Sequence, residues 1–199
     1  QWAFGRLSVF QGGIPFDGAM AVLQDGDRFS FVEALALVDS LVQANLLQAP
    51  TQTADGPRYA MLQMIQEFGI STLAAQDRID ASRAHAMYFA AMAASAQAHY
   101  RDSEAPIWLA RLDANLGNLR EAVEWLTSSA SDTSDTALLV ATQLWEYFDL
   151  RNRHTEARAL LLKAHALDNR STGPVRARAL ALLGHTSLTH NEQAEAHYR

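Results

Sequence analysis

Histidine is the residue type in this chain with the most versatile chemistry, because imidazole ligates metals and exchanges protons near neutral pH. The chain has seven histidines: His85, His99, His154, His165, His185, His190 and His197. His185 and His190 are five residues apart, so they do not share a helix face, and no H-E-x-x-H zinc motif occurs. We therefore predict surface or capping histidines and no metal site.

The carboxylates do not form a catalytic pattern either. Glu121 and Glu124 lie beside Arg120 on a predicted helix, an arrangement typical of a solvated face. The chain has no cysteine, which excludes disulfides, zinc–thiolate sites and thiol nucleophiles. The phosphate-binding motif G-x-x-x-x-G-K-[ST] is absent, and the single lysine, Lys163, lies in a predicted helical repeat. We predict no enzyme active site and no cofactor site in this chain.

Recognition chemistry is concentrated in the last third of the chain. The first helix of each helical pair in a solenoid lines its concave face. That geometry predicts a mixed-charge groove suited to a protein or a small effector. An alternative is that these side chains are only solvated. The candidate groove residues are Thr142, Glu146, Asp149, Arg178 and His185.

An internal repeat is the basis for that groove. Leu144 aligns with Leu183, and Ala157 aligns with Ala196, both at an offset of 39 residues. Tetratricopeptide repeats are about 34 residues long, and the extra length fits a Gly/Pro-containing loop between the two units. Small residues at the aligned alanine position predict close helix packing, and Leu161 continues the same buried face. We therefore predict tetratricopeptide-like repeats over 137–199 that continue beyond the fragment.

The first 75 residues have a different organisation. Ser30 and Glu33 have capping-box spacing at the start of an apolar-striped helix. Tyr59 and Met61 then alternate with other residues as in a strand, and the spacing changes to three or four from Ile65 onward. The predicted order is helix, helix, helix, hairpin, helix, which is a winged-helix-like domain over 1–75.

The middle of the chain is predicted to be helical throughout. An alanine-rich helix follows residue 76, with Ile79, Ala86 and Phe89 directed towards the core. The next stretch, over 103–130, reads as one main helix. Residues 76–136 are thus predicted to be a helical linker with the first solenoid helices. The predicted fold class is mainly α, a winged-helix-like domain with one small β-hairpin followed by a tetratricopeptide-like α-solenoid.

Many winged helices bind DNA through their third helix, so DNA binding is one possible function of residues 1–75. Here that helix offers Glu33, Asp39 and Gln43 but no Arg or Lys, and the hairpin offers only Arg58. Residues 1–75 contain three basic and seven acidic residues, which opposes contact with phosphates. We predict a packing role and no direct nucleic-acid contact, with a winged-helix DNA-binding module as the alternative.

The stretches "RYAMLQMIQEFG" and "LDANLGNLREAVEWL", followed by the repeats, resemble a known arrangement. They resemble the middle of bacterial signal-transduction NTPase regulators of the STAND type, the AfsR and large LuxR families. The resemblance implies an upstream domain that binds ATP, a winged helix that packs on it, and a helical sensor. It also implies a transcriptional regulator as the intact protein.

Further expectations concern the context of this chain. It reads as a piece of a longer protein, because both ends fall inside predicted helices. No apolar run approaches the length of a membrane span, so we expect no membrane contact and a cytoplasmic location. Homo-oligomers are possible. A plain protein-interaction scaffold, with no nucleotide domain upstream, is a further alternative.

Overall fold

The structure, a computed structural model, describes residues 1–26, 28–53, 56–128, 134–167 and 173–184. These residues form mainly helices with a small three-stranded antiparallel sheet, so the predicted mainly α class is confirmed. The helices are α1 (Trp2–Leu7), α2 (Phe16–Leu23), α3 (Phe31–Gln43), α4 (Gln63–Ser71), α5 (Ala75–His99), α6 (Ala105–Ala114), α7 (Leu116–Ser128), α8 (Ser134–Leu150), α9 (His154–Leu167) and α10 (173–184). The strands are β1 (Ile14–Pro15), β2 (Gln48–Thr53) and β3 (Gly56–Ala60), in the order β1-β3-β2.

The predicted hairpin is present as β2 and β3, but the sheet has a third strand. In β1, Ile14 pairs with Tyr59 and Pro15 pairs with Arg58. A two-residue strand has no alternation of its own, so the expectation of a lone hairpin was wrong. The pairing anchors the segment before α2 to the centre of the sheet.

The start of the chain differs from the predicted helix boundaries. Helix α1 ends at Leu7, so the Gly12–Gly13 pair, a typical helix end in a sequence, does not end it. Both glycines instead adopt positive φ, 82° and 110°, in the link to β1. Pro15, and not Asp17, is the N-cap of α2, since its extended backbone leads directly into the helix.

The predicted capping box of α3 is confirmed. The Ser30 hydroxyl accepts a hydrogen bond from the Glu33 backbone N–H at 3.3 Å, and the Glu33 carboxylate accepts one from the Ser30 backbone N–H at 2.8 Å. The Ser30 backbone N–H is the main reason that the pKa of Glu33 lies below its usual value. This pair fixes where α3 begins.

The single helix predicted over 103–130 is two helices, α6 and α7, with a break at Asn115. At the break, Arg58 donates to the carbonyl of Ala114 at 2.7 Å and to the side chain of Asn115 at 2.9 Å. These long-range bonds take up polar groups at the end of α6. In α5, Ala86 and Phe89 are buried as predicted, but Ile79 is 51% exposed.

The chain divides into two compact units. The first unit combines Gln1–Ala91 with Asp113–Trp125, and the second combines Met92–Leu112 with the residues from Leu126 onward. The predicted boundaries at residues 75 and 136 stay predictions, because a compact unit need not be an independent domain.

In the second unit, α8 packs along α9. The faces that meet include Ala157, Leu161 and Ala164 on α9, all buried as the sequence predicted. Asn152 adopts the left-handed conformation, φ 54°, at the turn between the two helices. This is the role that glycine usually takes there. Asn191 and Ala196, their predicted counterparts, lie outside the described residues.

In the first unit, α1 and α4 approach closely at glycines. A Cβ atom on Gly5 would lie 2.6 Å from Leu73, and a Cβ on Gly69 would overlap the Ser8 hydroxyl. Phe68, which the spacing placed on one side of the helix, is 63% exposed. The glycine therefore faces α1, and the phenylalanine lies at the margin of this contact.

We expect Gly69→Ala to destabilise the protein by about 1–3 kcal/mol, because the added methyl overlaps Ser8 and forces the two helices apart. Urea denaturation measures the change. The same substitution in a Ser8→Ala background should cost less, since the obstructing hydroxyl is gone. Gly184→Ala, where a Cβ meets no atom of the described residues within 4 Å, is the control and should cause no loss of stability, since alanine is the better helix former. Equal losses for Gly69→Ala and Gly184→Ala would contradict the close contact.

Candidate functional site

The structure describes four of the five predicted groove residues and places them in different settings. Thr142 is 1% exposed, and its hydroxyl donates to the carbonyl of Leu139 at 2.7 Å. A buried, internally bonded hydroxyl is not available to a partner. His185 lies outside the described residues. Three of the five, Glu146, Asp149 and Arg178, lie at or near the surface of the second unit.

Glu146 and Arg178 contact residues in the last turn of α5 or just after it. Arg101 Nε donates to Glu146 Oε1 at 3.0 Å. One helical turn earlier, the Gln97 amide oxygen accepts from both terminal nitrogens of Arg178 at 2.6 Å, with the amide oriented from its hydrogen bonds. Glu146 and Arg178 thus contact residues four apart in the chain, one in the last turn of α5 and one just beyond it.

The other charges of this region are paired locally. Asp149 Oδ1 lies 3.1 Å from His154 Nδ1, and Arg153 pairs with Glu156 at 3.8 Å. The sequence predicted that Asp149 and Glu156 would pair with nearby arginines, and the Arg153–Glu156 pair matches that expectation. Exposed pairs of this kind contribute little to stability.

The tryptophans occupy different positions. Trp145 is buried, as predicted for a core residue. Trp108 lies at a corner where His99 stacks on its ring at 5.4 Å and the Arg111 guanidinium lies 4.9 Å from the ring centroid. His99 also contacts Asp102 at 2.8 Å. Trp108 is half-buried, and its ring is in contact with side chains of its own unit.

Within the described ranges, no group of three or more His, Asp or Glu side chains is arranged to hold a metal ion. The prediction of surface or capping histidines fails for His85. This residue is buried in the first unit, with its ring 4.8 Å from Phe10 and 4.7 Å from Phe89. It belongs to a polar junction that the sequence did not reveal.

The junction is built around the backbone of Phe10–Gly13. Gln66 Nε2 donates to the carbonyl of Phe10 at 2.6 Å, and Arg58 donates to the carbonyls of Gly12 and Gly13 at 3.1 and 3.4 Å. The Gln11 backbone N–H donates to Asn118 Oδ1 at 2.6 Å. These four residues thus obtain their hydrogen bonds from side chains on α4, β3 and α7.

Asn118 is the centre of this junction. It is fully buried, its Nδ2 donates to the carbonyl of Gly13 at 2.9 Å, and its Oδ1 lies 3.2 Å from His85 Nε2. The nearby Gly117 is required because a Cβ there would lie 2.8 Å from the carbonyl oxygen of Gln11. Burial lowers the pKa of His85 to about 4, with the Asn118 hydrogen bond as a smaller opposing cause. His85 is therefore neutral at pH 7 and donates through Nε2.

Sequence reasoning did not detect this junction because its partners are 33 to 107 residues apart. The only local signal was the pair of polar residues, Asn115 and Asn118, that interrupt an otherwise apolar helical pattern. Buried asparagines in such a position indicate a tertiary hydrogen-bond partner.

Comparison with known proteins adds no relative: no protein-family model, curated protein or solved structure matches this chain. The likeness to the AfsR and large LuxR regulators stays a prediction. No helix within the described ranges combines the length and the apolar character needed to span a bilayer.

Replacing Asn118 by alanine should cost at least about 3 kcal/mol, because the Gln11 N–H, the Gly13 carbonyl and His85 Nε2 would lose their partner in a buried site. Equilibrium urea unfolding measures this loss. Gln11→Ala is a matched control, since its bond to Asn118 comes from the backbone, and should cost less than about 0.5 kcal/mol. A small effect at Asn118 would mean that the junction does not hold the first unit together.

The buried His85 also predicts acid sensitivity. Its folded pKa of about 4 lies below the usual histidine pKa of 6.5, so the unfolded chain binds the proton more readily between these values. The free energy of unfolding is therefore highest above pH 6.5. Protonation of His85 lowers it as the pH drops, by about 2 kcal/mol at pH 5 and about 3 kcal/mol near pH 4. Urea denaturation across this range tests it. His85→Gln should remove this part of the pH dependence, and an unchanged slope in that variant would refute the assignment.

Proposed function

We propose that this chain is the regulatory and sensing segment of a bacterial signalling NTPase, the intact protein being a cytoplasmic transcriptional regulator. In this proposal, residues 1–75 form a winged-helix-like domain that packs on an upstream, ATP-binding domain. The helices that follow form a tetratricopeptide-like solenoid that binds a protein or a small effector. The chain itself is not an enzyme.

The proposal rests above all on how Arg58 is used. It is the single cation of the predicted wing, and its guanidinium donates to Asn115 and to the carbonyls of Gly12, Gly13 and Ala114. An arginine on the wing whose guanidinium is bonded to other backbone groups of the same chain helps to pack the fold. This argues for a winged helix that holds a protein contact.

The charge of the first unit supports the same choice. It contains six basic and twelve acidic residues, a formal charge of −6. One of those cations, Arg6, is buried and paired with Asp25 at 3.2 Å. The exposed start of α3 carries Glu33. Phosphate backbones attract basic surfaces, so these features weigh against the DNA-binding alternative.

An apolar surface on α4 supplies the candidate contact with the nucleotide domain. Met64 is 83% exposed and Phe68 is 63% exposed, one helical turn apart on the same face, with exposed Leu62 just before them. Clustered apolar side chains in water are unfavourable and mark contact surfaces. We define Leu62, Met64 and Phe68 as the α4 patch.

The second unit supplies the proposed sensor surface. Glu146, Asp149 and Arg178 remain candidates for contacting a partner, with Thr142 buried and His185 outside the described residues. The ten basic and ten acidic residues of this unit balance, which suits a protein or a neutral effector better than a polyanion. Homo-oligomers through this surface remain part of the proposal.

The test is made on the longer protein encoded by the same reading frame. We expect a nucleotide-binding domain upstream of Gln1. Introducing Met64→Glu and Phe68→Glu together should then release that domain and change its nucleotide exchange rate by about tenfold or more, since each buried charge weakens the contact. Met87→Glu, an exposed methionine on α5, is the control and should leave the exchange rate unchanged.

Two results would overturn the proposal. An upstream sequence with no phosphate-binding motif would leave the chain as a plain interaction scaffold. Tight, salt-sensitive binding of this chain to duplex DNA would instead favour the DNA-binding module. Equal exchange rates in the double variant and the Met87 control would place the contact elsewhere than the α4 patch.

A further inference from the structure

A cavity of about 270 Å³ lies in the first unit, beside the three-stranded sheet. It is large enough for one ring system but lies below the usual size of sites for larger ligands. Its walls come from the link before β1, from β2 and β3, and from Gln66 on α4. Apolar parts of the lining include Ile14, Ala49, Ala60 and Met61.

Two side-chain amides line this cavity. Gln66 is held in place because its Nε2 donates to the Phe10 carbonyl at 2.6 Å, which leaves its Oε1 as a hydrogen-bond acceptor. Gln48, on β2, has no hydrogen-bond partner for its amide among the described residues, so it offers both a donor and an acceptor. A carboxamide presents these groups side by side and pairs with a matching planar edge.

The charges around the cavity favour an uncharged ligand. Arg58 is the one charged side chain in the lining, and its terminal nitrogens already donate to Asn115 and to three carbonyls. Its positive charge repels a cationic ligand. Because its terminal N–H groups are already hydrogen-bonded, an anionic ligand gains few hydrogen bonds from it. Burial, with a smaller contribution from Asp39, raises the pKa of Tyr59, which therefore stays neutral.

We propose that this cavity binds a small, planar, uncharged ring that carries a hydrogen-bond donor and acceptor side by side, with Gln48 as the main recognition residue and Gln66 as a second acceptor. Adenine and benzamide are the simplest compounds of this class. The site lies on the sheet of the first unit, apart from the proposed sensor surface. It does not depend on the proposed function.

The experiment uses ¹⁵N-labelled protein titrated with adenine, benzamide and benzoate, followed by amide chemical shifts. Adenine and benzamide should shift the amides of Gly12, Gly13, Ala49 and Ala60. Benzoate has the shape of benzamide but is an anion without an amide donor, and should bind at least about tenfold more weakly. A loss of this size corresponds to one well-formed hydrogen bond.

Paired variants locate the binding. Gln48→Ala should weaken adenine and benzamide about tenfold, whereas Gln52→Ala, the same change on the same strand outside the lining, should not. Absence of shifts up to the solubility limit of both compounds would overturn the site. Shifts elsewhere in the protein, equal binding of benzoate, or equal effects of the two glutamine variants would overturn it as well.

Discussion

The backbone of Phe10–Gly13 carries the constraint on which the first unit depends. These residues lie in neither a helix nor a strand, and all except Gly12 are buried or half-buried. Their polar groups therefore need other partners, because a buried carbonyl or N–H left unpaired costs about 1–3 kcal/mol. Gln66, Arg58 and Asn118 supply those partners from three separate elements. The unit is therefore stable only when α4, β3 and α7 are all in place, which makes its folding cooperative across distant parts of the chain.

Contacts within the first unit also determine where two of its arginines lie. Arg58 is held at the junction, and Arg6 is buried beside Asp25, donates to the carbonyl of Val22 at 3.0 Å and lies 4.7 Å from the Trp2 ring. A charged group in such a place is tolerated because it is hydrogen-bonded and paired. Two of the six cations of this unit are thus held by contacts within it, which leaves more acidic than basic groups on its surface. Such a surface does not attract phosphate backbones.

Local signals predicted local structure well. The Ser30–Glu33 capping box fixes the start of α3 with groups three residues apart, and the alternation around Tyr59 identified the hairpin. The strand β1 and the break at Asn115 were missed because each is created by a partner more than 40 residues away. Periodicity did not show that Phe68 is exposed, since a stripe shows that a helix is amphipathic but not which neighbour covers it.

The candidate sites also show that a sequence pattern does not separate residues used for folding from residues free to bind a partner. The most distinctive stretches, "RYAMLQMIQEFG" and "LDANLGNLREAVEWL", supply Arg58, Gln66 and Asn118, which all bond to one short backbone segment. The residues that make these stretches distinctive are thus used to hold the fold together. A resemblance based on them supports a similar fold and not a similar function. Recognition has to be argued from side chains that folding leaves unused, such as an exposed apolar patch or an unpaired amide in a cavity. A sequence pattern cannot separate the two groups, because the difference lies in contacts that only the folded chain creates.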